Sequence, residues 1–184
     1  VWSWGRFFCA YKKAIDNIGL FLETARKCGL TEALNTQWGD DGHECFFDYG
    51  LPAHAYFLAH CTETKDQLDT AKKRFFAFFK IAYDDLNIPA ELDHLGYQTN
   101  LPNPTSLAKC FLYDDPALGF FSGLESIPKV SGKYLAIRKK LTPLARKPGL
   151  FQPLFKIART FAGLLGLKSD LRAELVDLYK ANDR

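Results

Sequence analysis

At 184 residues, 47% of them hydrophobic and 15% aromatic, the chain can build a packed core, which excludes a disordered polypeptide. A net charge of +3, with both signs scattered along the chain, is too small to point to nucleic acid or an anionic membrane as partner. No apolar run approaches the roughly 20 residues that a membrane span needs.

The chain starts at Val1 and contains no Met, so it reads as part of something longer, with any targeting signal upstream. Its five cysteines, Cys9, Cys28, Cys45, Cys61 and Cys110, are odd in number and fit no disulfide framework. Buried free thiols in a reducing compartment, taken as cytoplasmic, account for them. Cys45 and Cys61 lie near His43 and His60, but the spacing matches no zinc motif. Neither a metal nor any other cofactor is expected.

Val1-Trp-Ser-Trp-Gly5 is aromatic and leans toward a strand. Tyr11 to Cys28 reads as a helix, because Ile15, Ile18, Leu22 and Ala25 recur at helical spacing and Gly29 supplies the stop. Thr31 to Trp38 suits a strand, and Gly39-Asp-Asp-Gly-His-Glu44 a loop. Phe46 to Cys61, with Pro52 near its start, reads as a buried helix. Lys65 to Tyr83 reads as an amphipathic helix with Leu68, Ala71, Phe75, Phe78 and Phe79 on its apolar side. Ile88 to Thr105, broken by three prolines and a glycine, is irregular or holds short turns, and Asp114-Asp-Pro116 is a turn from which Pro116 opens a short helix. Ser131 to Arg146 is basic and helical, with Pro143 expected to kink it. Phe151 to Leu165 and Ser169 to Lys180 are two further helices, the last N-capped by Ser169.

The character changes near Glu44. The expected fold is mainly α. Residues 1–48 form a βαβ remnant of the end of a (β/α)8 barrel, and residues 49–184 an all-helical C-terminal domain. A two-strand parallel unit leaves edges and a face uncovered, so it needs a partner sheet.

Trp38-Gly-Asp-Asp-Gly-His-Glu44 is the densest polar cluster. At the C-terminal end of a barrel strand it would sit where active-site residues gather. An indole face packs on the C–H face of a pyranose, and carboxylates such as Asp40, Asp41 and Glu44 accept hydrogen bonds from paired hydroxyls. A blander reading stands beside this one, in which Asp40 or Asp41 caps the next helix and Trp38 fills core. Ca²⁺ is a third reading, although EF-hand spacing is lacking. Trp2 and Trp4, two apart on a strand, share a face and are more often core than platform. His54, His60 and His94 have no paired nucleophile, so packing or surface roles suit them; His43 alone lies in the acidic loop. Arg138-Lys-Lys140 and Arg146-Lys147 read as a solvated helix face.

The segment Leu34-Asn-Thr-Gln-Trp-Gly-Asp-Asp-Gly-His-Glu-Cys-Phe-Phe47, followed by Leu51-Pro52 and Ala55-Tyr-Phe57, resembles the barrel end of family 20 β-N-acetylhexosaminidases. It is most similar to the branch of hexosaminidase D-like and related bacterial enzymes. Trp2-Ser-Trp4 resembles the aromatic end of the preceding strand. Leu112-Tyr-Asp-Asp-Pro-Ala-Leu-Gly119, Leu164-Leu-Gly-Leu-Lys168 and Tyr179 to Arg184 are similar to stretches of that branch's helical tail. The resemblance implies exo-hydrolysis of terminal N-acetylglucosamine or N-acetylgalactosamine by a substrate-assisted retaining mechanism, an exception to the two-carboxylate rule. It implies Trp38 as the platform under the sugar, Asp40 or Glu44 as holders of O4 and O6, and Trp2 or Trp4 as lining of the acetamido pocket. His43 departs from the family, where small or polar residues are usual.

The family's acid pair is an Asp-Glu dipeptide on an earlier strand, and this sequence contains no such dipeptide. No catalytic residue is therefore assigned in this chain, which alone is expected to be inactive. The expected partners are a glycan ending in N-acetylhexosamine, the N-terminal barrel portion of the same protein, and a second copy in a homo-oligomer. The rival reading is an independent helical binding or interaction module without catalysis.

Overall fold

In the computed structural model, residues 2–4, 7–39, 46–94, 107–113, 115, 118 and 129–182 are described. Two compact units divide the chain, Val1–Ala90 and Glu91–Arg184. The expected boundary at 48/49 falls inside the first of them.

The first unit opens with β1 (Trp2–Trp4), α1 (Tyr11–Lys27) and β2 (Thr36–Trp38). The strands pair in parallel, Trp2 with Thr36, Ser3 with Gln37 and Trp4 with Trp38. Parallel neighbours need a crossover, and α1 supplies it. Its buried residues Ala14, Ile18, Leu22 and Ala25 recur every three or four positions and make one stripe. Ile15, expected on that stripe, is half-buried, and Ala14 takes the inner place. Gly29 ends the helix with φ of +72°. Its N–H donates to Arg26 O at 3.1 Å and that of Leu30 to Ala25 O at 3.0 Å, the two bonds of a Schellman motif. β2 covers Thr36–Trp38, shorter than the expected Thr31–Trp38.

A 3₁₀ turn at Phe47–Gly50 leads into α2 (Leu51–Thr62), with Pro52 in the first turn where its missing N–H costs nothing. Ala53 packs into the cluster of Ala14, Ile18 and Leu22, with Tyr56 and Phe57 partly buried against it. α3 (Gln67–Phe79) buries Ala71 and Phe75, and α4 (Tyr83–Asn87) follows, then a 3₁₀ turn at Ile88–Ala90. Phe78 does not join the expected apolar side but is 81% exposed. It lies in the last turn before Lys80 turns the chain with φ of +58°, and the next segment packs instead on Phe75, whose ring meets Tyr83 at 5.5 Å. Tyr11 Oη donates to Tyr83 Oη at 2.8 Å, tying α1 to α4. Burial pushes the Tyr11 hydroxyl up to about 12 and that of Tyr83 higher still, so both stay protonated.

The second unit contains α5 (Glu91–His94), α6 (Leu107–Tyr113), α7 (Ser131–Arg146), α8 (Gln152–Lys168) and α9 (Leu171–Asn182). The remainder of the expected irregular stretch, and Asp114 and Pro116 of the expected turn, lie outside the described residues. Residues Tyr134, Ile137, Leu141 and Ala145 of α7 pack with Leu154, Phe155, Ala158, Ala162 and Leu165 of α8 to form the core. Gly166 permits that approach, since a Cβ there would sit 2.7 Å from Leu135 Cδ2. α7 runs through Pro143 as one helix to Arg146. The proline withholds the N–H that would bond the carbonyl four residues back, and Leu141 and Ala145, buried on either side of it in the α7–α8 packing, hold the helix together across the position.

Ser169 is not the expected N-cap of α9. It is buried at the end of α8, where its N–H donates to Leu165 O at 2.9 Å. Asp170 precedes α9, and its carboxylate serves α7 instead. Oδ1 accepts from the N–H groups of Val130 at 2.8 Å and Ser131 at 3.1 Å, and Oδ2 accepts from Ser131 Oγ. A residue about forty positions downstream thus supplies the acceptors that no local side chain gives to the start of α7. Lys168 Nζ closes α6 in the same way by donating to Leu112 O.

Partial burial works to raise the Asp170 carboxyl, but the hydrogen bonds from Ser131 and Val130 outweigh it and hold the pKa below 3.8. A depressed carboxylate stabilises the fold above its unfolded pKa, and that stability is lost as pH falls through the folded value. Asp170→Ala should therefore cost about 1–2 kcal/mol at neutral pH, the range for removing an N-cap. Thermal melts of the two proteins should converge as pH is taken below 3.8; a gap independent of pH would show that the carboxylate charge is not what caps α7.

Candidate functional site at the end of β2

Successive residues of a strand point to opposite faces, so Thr36 and Trp38 share one side of β2 and Gln37 takes the other. Trp38 is 53% exposed, and its Nε1–H donates to Thr36 Oγ1 at 2.8 Å. The tether fixes the ring edge while leaving indole surface open to solvent. The parallel register sets Trp4 of β1 opposite Trp38 and Trp2 opposite Thr36. In backbone terms Trp4 thus borders the strand end that carries Trp38, and Trp2 the opposite end. Asp40, Asp41, His43 and Glu44, together with Cys45, lie outside the described residues, as do the side chains of Trp2, Trp4 and His94.

Behind β2, on the α2 side, lies a polar chain that sequence reasoning missed. Gln37 Nε2 donates to Phe47 O at 3.1 Å. Gln37 Oε1 and His54 Nε2 are 2.8 Å apart, and His54 Nδ1 and Asn35 Nδ2 are 2.7 Å apart. His54 looked like a lone histidine because its partners sit 17 and 19 positions upstream. The available signal was period two, which puts Asn35 and Gln37 on one side of an extended segment. Burial pushes the His54 imidazole below its usual 6.5.

His60, two residues before the end of α2 at Thr62, is 1% exposed, and neither ring nitrogen has a hydrogen-bond partner. Its ring meets Tyr56 edge-on at 4.6 Å. Burial first, and the Arg26 guanidinium second, lower its pKa against an opposing pull from Glu23. Arg26 Nη2 donates to His60 O and, at 3.3 Å, to Glu63 O, closing the C-terminal end of α2. A cavity of about 130 Å³ opens here, lined by Arg26, Glu32, His60 and Cys61 among others. It lies where α1 ends, before β2 begins, and so at the opposite end of the βαβ unit from Trp38. Cys28 and Cys61 are free and exposed rather than buried as expected, whereas Cys9 is buried.

The mainly α architecture, a βαβ unit followed by helices alone, defines the class. The model of the Glycoside Hydrolase 20C C-terminal domain matches residues 84–184, from within α4 through α9. With more than half of its length matched, the chain belongs to glycoside hydrolase family 20. None of the curated proteins matches it.

Both His54 and His60 bind a proton less readily in the folded state than at the ordinary 6.5. The unfolded chain therefore takes up protons first, and folding stability falls as pH drops below that value. Chemical unfolding of the chain at pH 7.5 and 5.5 should give a lower midpoint at the more acidic pH, and His60→Phe should narrow the difference. An unchanged midpoint would mean that neither imidazole is held neutral by the fold.

Proposed function

We propose that this chain forms the sugar-binding end of the barrel, and the helical C-terminal domain, of an exo-acting β-N-acetylhexosaminidase. The observation that carries the reading is Trp38: a half-exposed indole, tethered through its N–H at the C-terminal end of a parallel strand, with Trp4 opposite in the register. That end of a parallel β/α unit is where ligands bind in barrels. Membership of a glycoside hydrolase family makes a sugar the natural occupant. Trp38 would lie under the terminal N-acetylhexosamine, Asp40 or Glu44 would hold its O4 and O6 hydroxyls, and Trp2 or Trp4 would line the acetamido pocket.

Two parallel strands leave open edges, which further parallel strands of the same barrel would cover. Those strands would also bring the general acid and the residue that orients the acetamido group, because no Asp-Glu dipeptide occurs in this sequence. In the substrate-assisted mechanism the acetamido oxygen attacks the anomeric carbon while the acid protonates the departing oxygen. This chain's part is then to grip and orient, which lowers the entropic cost of reaching that geometry. Exposed free thiols at Cys28 and Cys61 suit a reducing compartment such as the cytoplasm.

The isolated chain should show no turnover of a chromogenic N-acetylglucosaminide. Titration with N-acetylglucosamine should perturb the Trp38 indole N–H resonance, and Trp38→Ala should weaken binding by about tenfold, the scale of one aromatic platform contact. Turnover that Glu44→Gln abolishes would overturn the division of labour, and binding indifferent to Trp38 would overturn the platform.

A further inference from the structure

The polar chain behind β2 admits one consistent arrangement of protons. Phe47 O can only accept, so the Gln37 amide nitrogen must face it. Gln37 Oε1 is then turned to His54, and the shared proton has to sit on His54 Nε2. The lone pair of Nδ1 remains, and the Asn35 amide donates to it. Asn35 Oδ1 is left buried without a partner, the cost of keeping a neutral imidazole here. Three hydrogen bonds thereby link residues 35 and 37, the return of the chain at Phe47, and the second turn of α2.

The Gln37 amide also lies directly on Gly50. A Cβ at that glycine would stand 2.6 Å from Oε1, 2.7 Å from Nε2 and 2.8 Å from Cδ. Any larger residue there would push the amide away without removing a polar group. Gly50 has an ordinary helical φ of −82°, so what its lack of a side chain provides is room for Gln37.

We propose that Gln37, His54 and Gly50 form a clamp that positions Trp38 and both ends of the connection between β2 and α2. Holding Gln37 back against α2 forces its neighbour Trp38 to the other side of the strand. Joining Gln37 to Phe47 sets the distance between the point where the chain leaves β2 and the point where it returns. Both are fixed before any ligand arrives, which removes an ordering cost from binding. The three are positioning residues and do not themselves touch the sugar. Their role in sugar recognition rests on the function proposed above, whereas the clamp itself rests on the hydrogen bonds.

Gln37→Glu and Gly50→Ala separate the clamp from general stability. The first keeps size and an acceptor for His54 but puts a carboxylate oxygen against Phe47 O. The second adds one methyl in a helical conformation that favours alanine. In the 184-residue chain, the backbone amides of Trp38, Gly39, Phe46 and Phe47 should exchange about tenfold faster in both variants, the effect of one lost hydrogen bond. The amides of α1 and α8 should keep their protection, and the Trp38 indole N–H resonance should shift. N-acetylglucosamine should bind about tenfold more weakly to both. Unchanged exchange at these four amides in both variants overturns the clamp, and so does loss of protection spread evenly over the chain. If exchange and the indole resonance respond but the unaltered chain binds no N-acetylglucosamine, the clamp stands and the sugar reading falls.

Discussion

Parallel pairing of two three-residue strands is the constraint from which the first unit follows. Such strands cannot be joined by a tight turn, so the chain must travel back along a helix of comparable span. α1 does so, packing on β1 and on helix α2. Ala14, Ile18 and Leu22 meet Ala53 for that reason. The same geometry gives the unit two unlike ends. At one the strands finish with Trp4 opposite Trp38, and at the other α1 ends in a Schellman turn beside the cavity of Arg26 and His60.

Where chain ends and helix ends are concerned, the molecule relies on groups distant in sequence. Asp170 caps α7, Lys168 closes α6, and Arg26 closes α2. Helices α7 and α2 lack a side-chain cap of their own at the N-terminus, so their orphan groups fall to neighbours, solvent or turns. The consequence is cooperative: a helix end satisfied through tertiary contact exists only when the unit is folded. The Gln37–His54–Asn35 chain behaves alike, for none of its three bonds is available to an isolated strand or an isolated helix.

Much of the secondary structure was legible in the residues. The three-to-four spacing of Ile18, Leu22 and Ala25, and Gly29 after them, marked α1 to within a residue or so, because both signals act locally. The pairs of helices at the C-terminal end were legible for the same reason. Legibility failed where another element decided. Phe78 carried the right spacing for burial but stays on the surface, its ring edge-on to Phe79. Ser169 had the right chemistry for a cap but was taken into the core, and Asp170 beside it was turned toward another helix. Pro143, expected to kink or interrupt α7, does not interrupt it, and the helix continues to Arg146.

The candidate site divides along the same line. The sequence by itself determined that Trp38 ends a strand before an acidic, Gly-rich segment, and the resemblance it carries to family 20 enzymes is matched by the family's C-terminal domain over residues 84–184. Local pattern suffices for that, since strand alternation and turn chemistry are properties of neighbouring residues. Only the tertiary structure decided that the backbone of Trp4 is registered opposite Trp38 in a parallel pair, and that His54 is a partner of Gln37 and Asn35 rather than a solitary surface histidine. Those facts depend on which segments are brought within about 3 Å of one another, a distance that hydrogen bonding demands and that spacing along a chain does not encode.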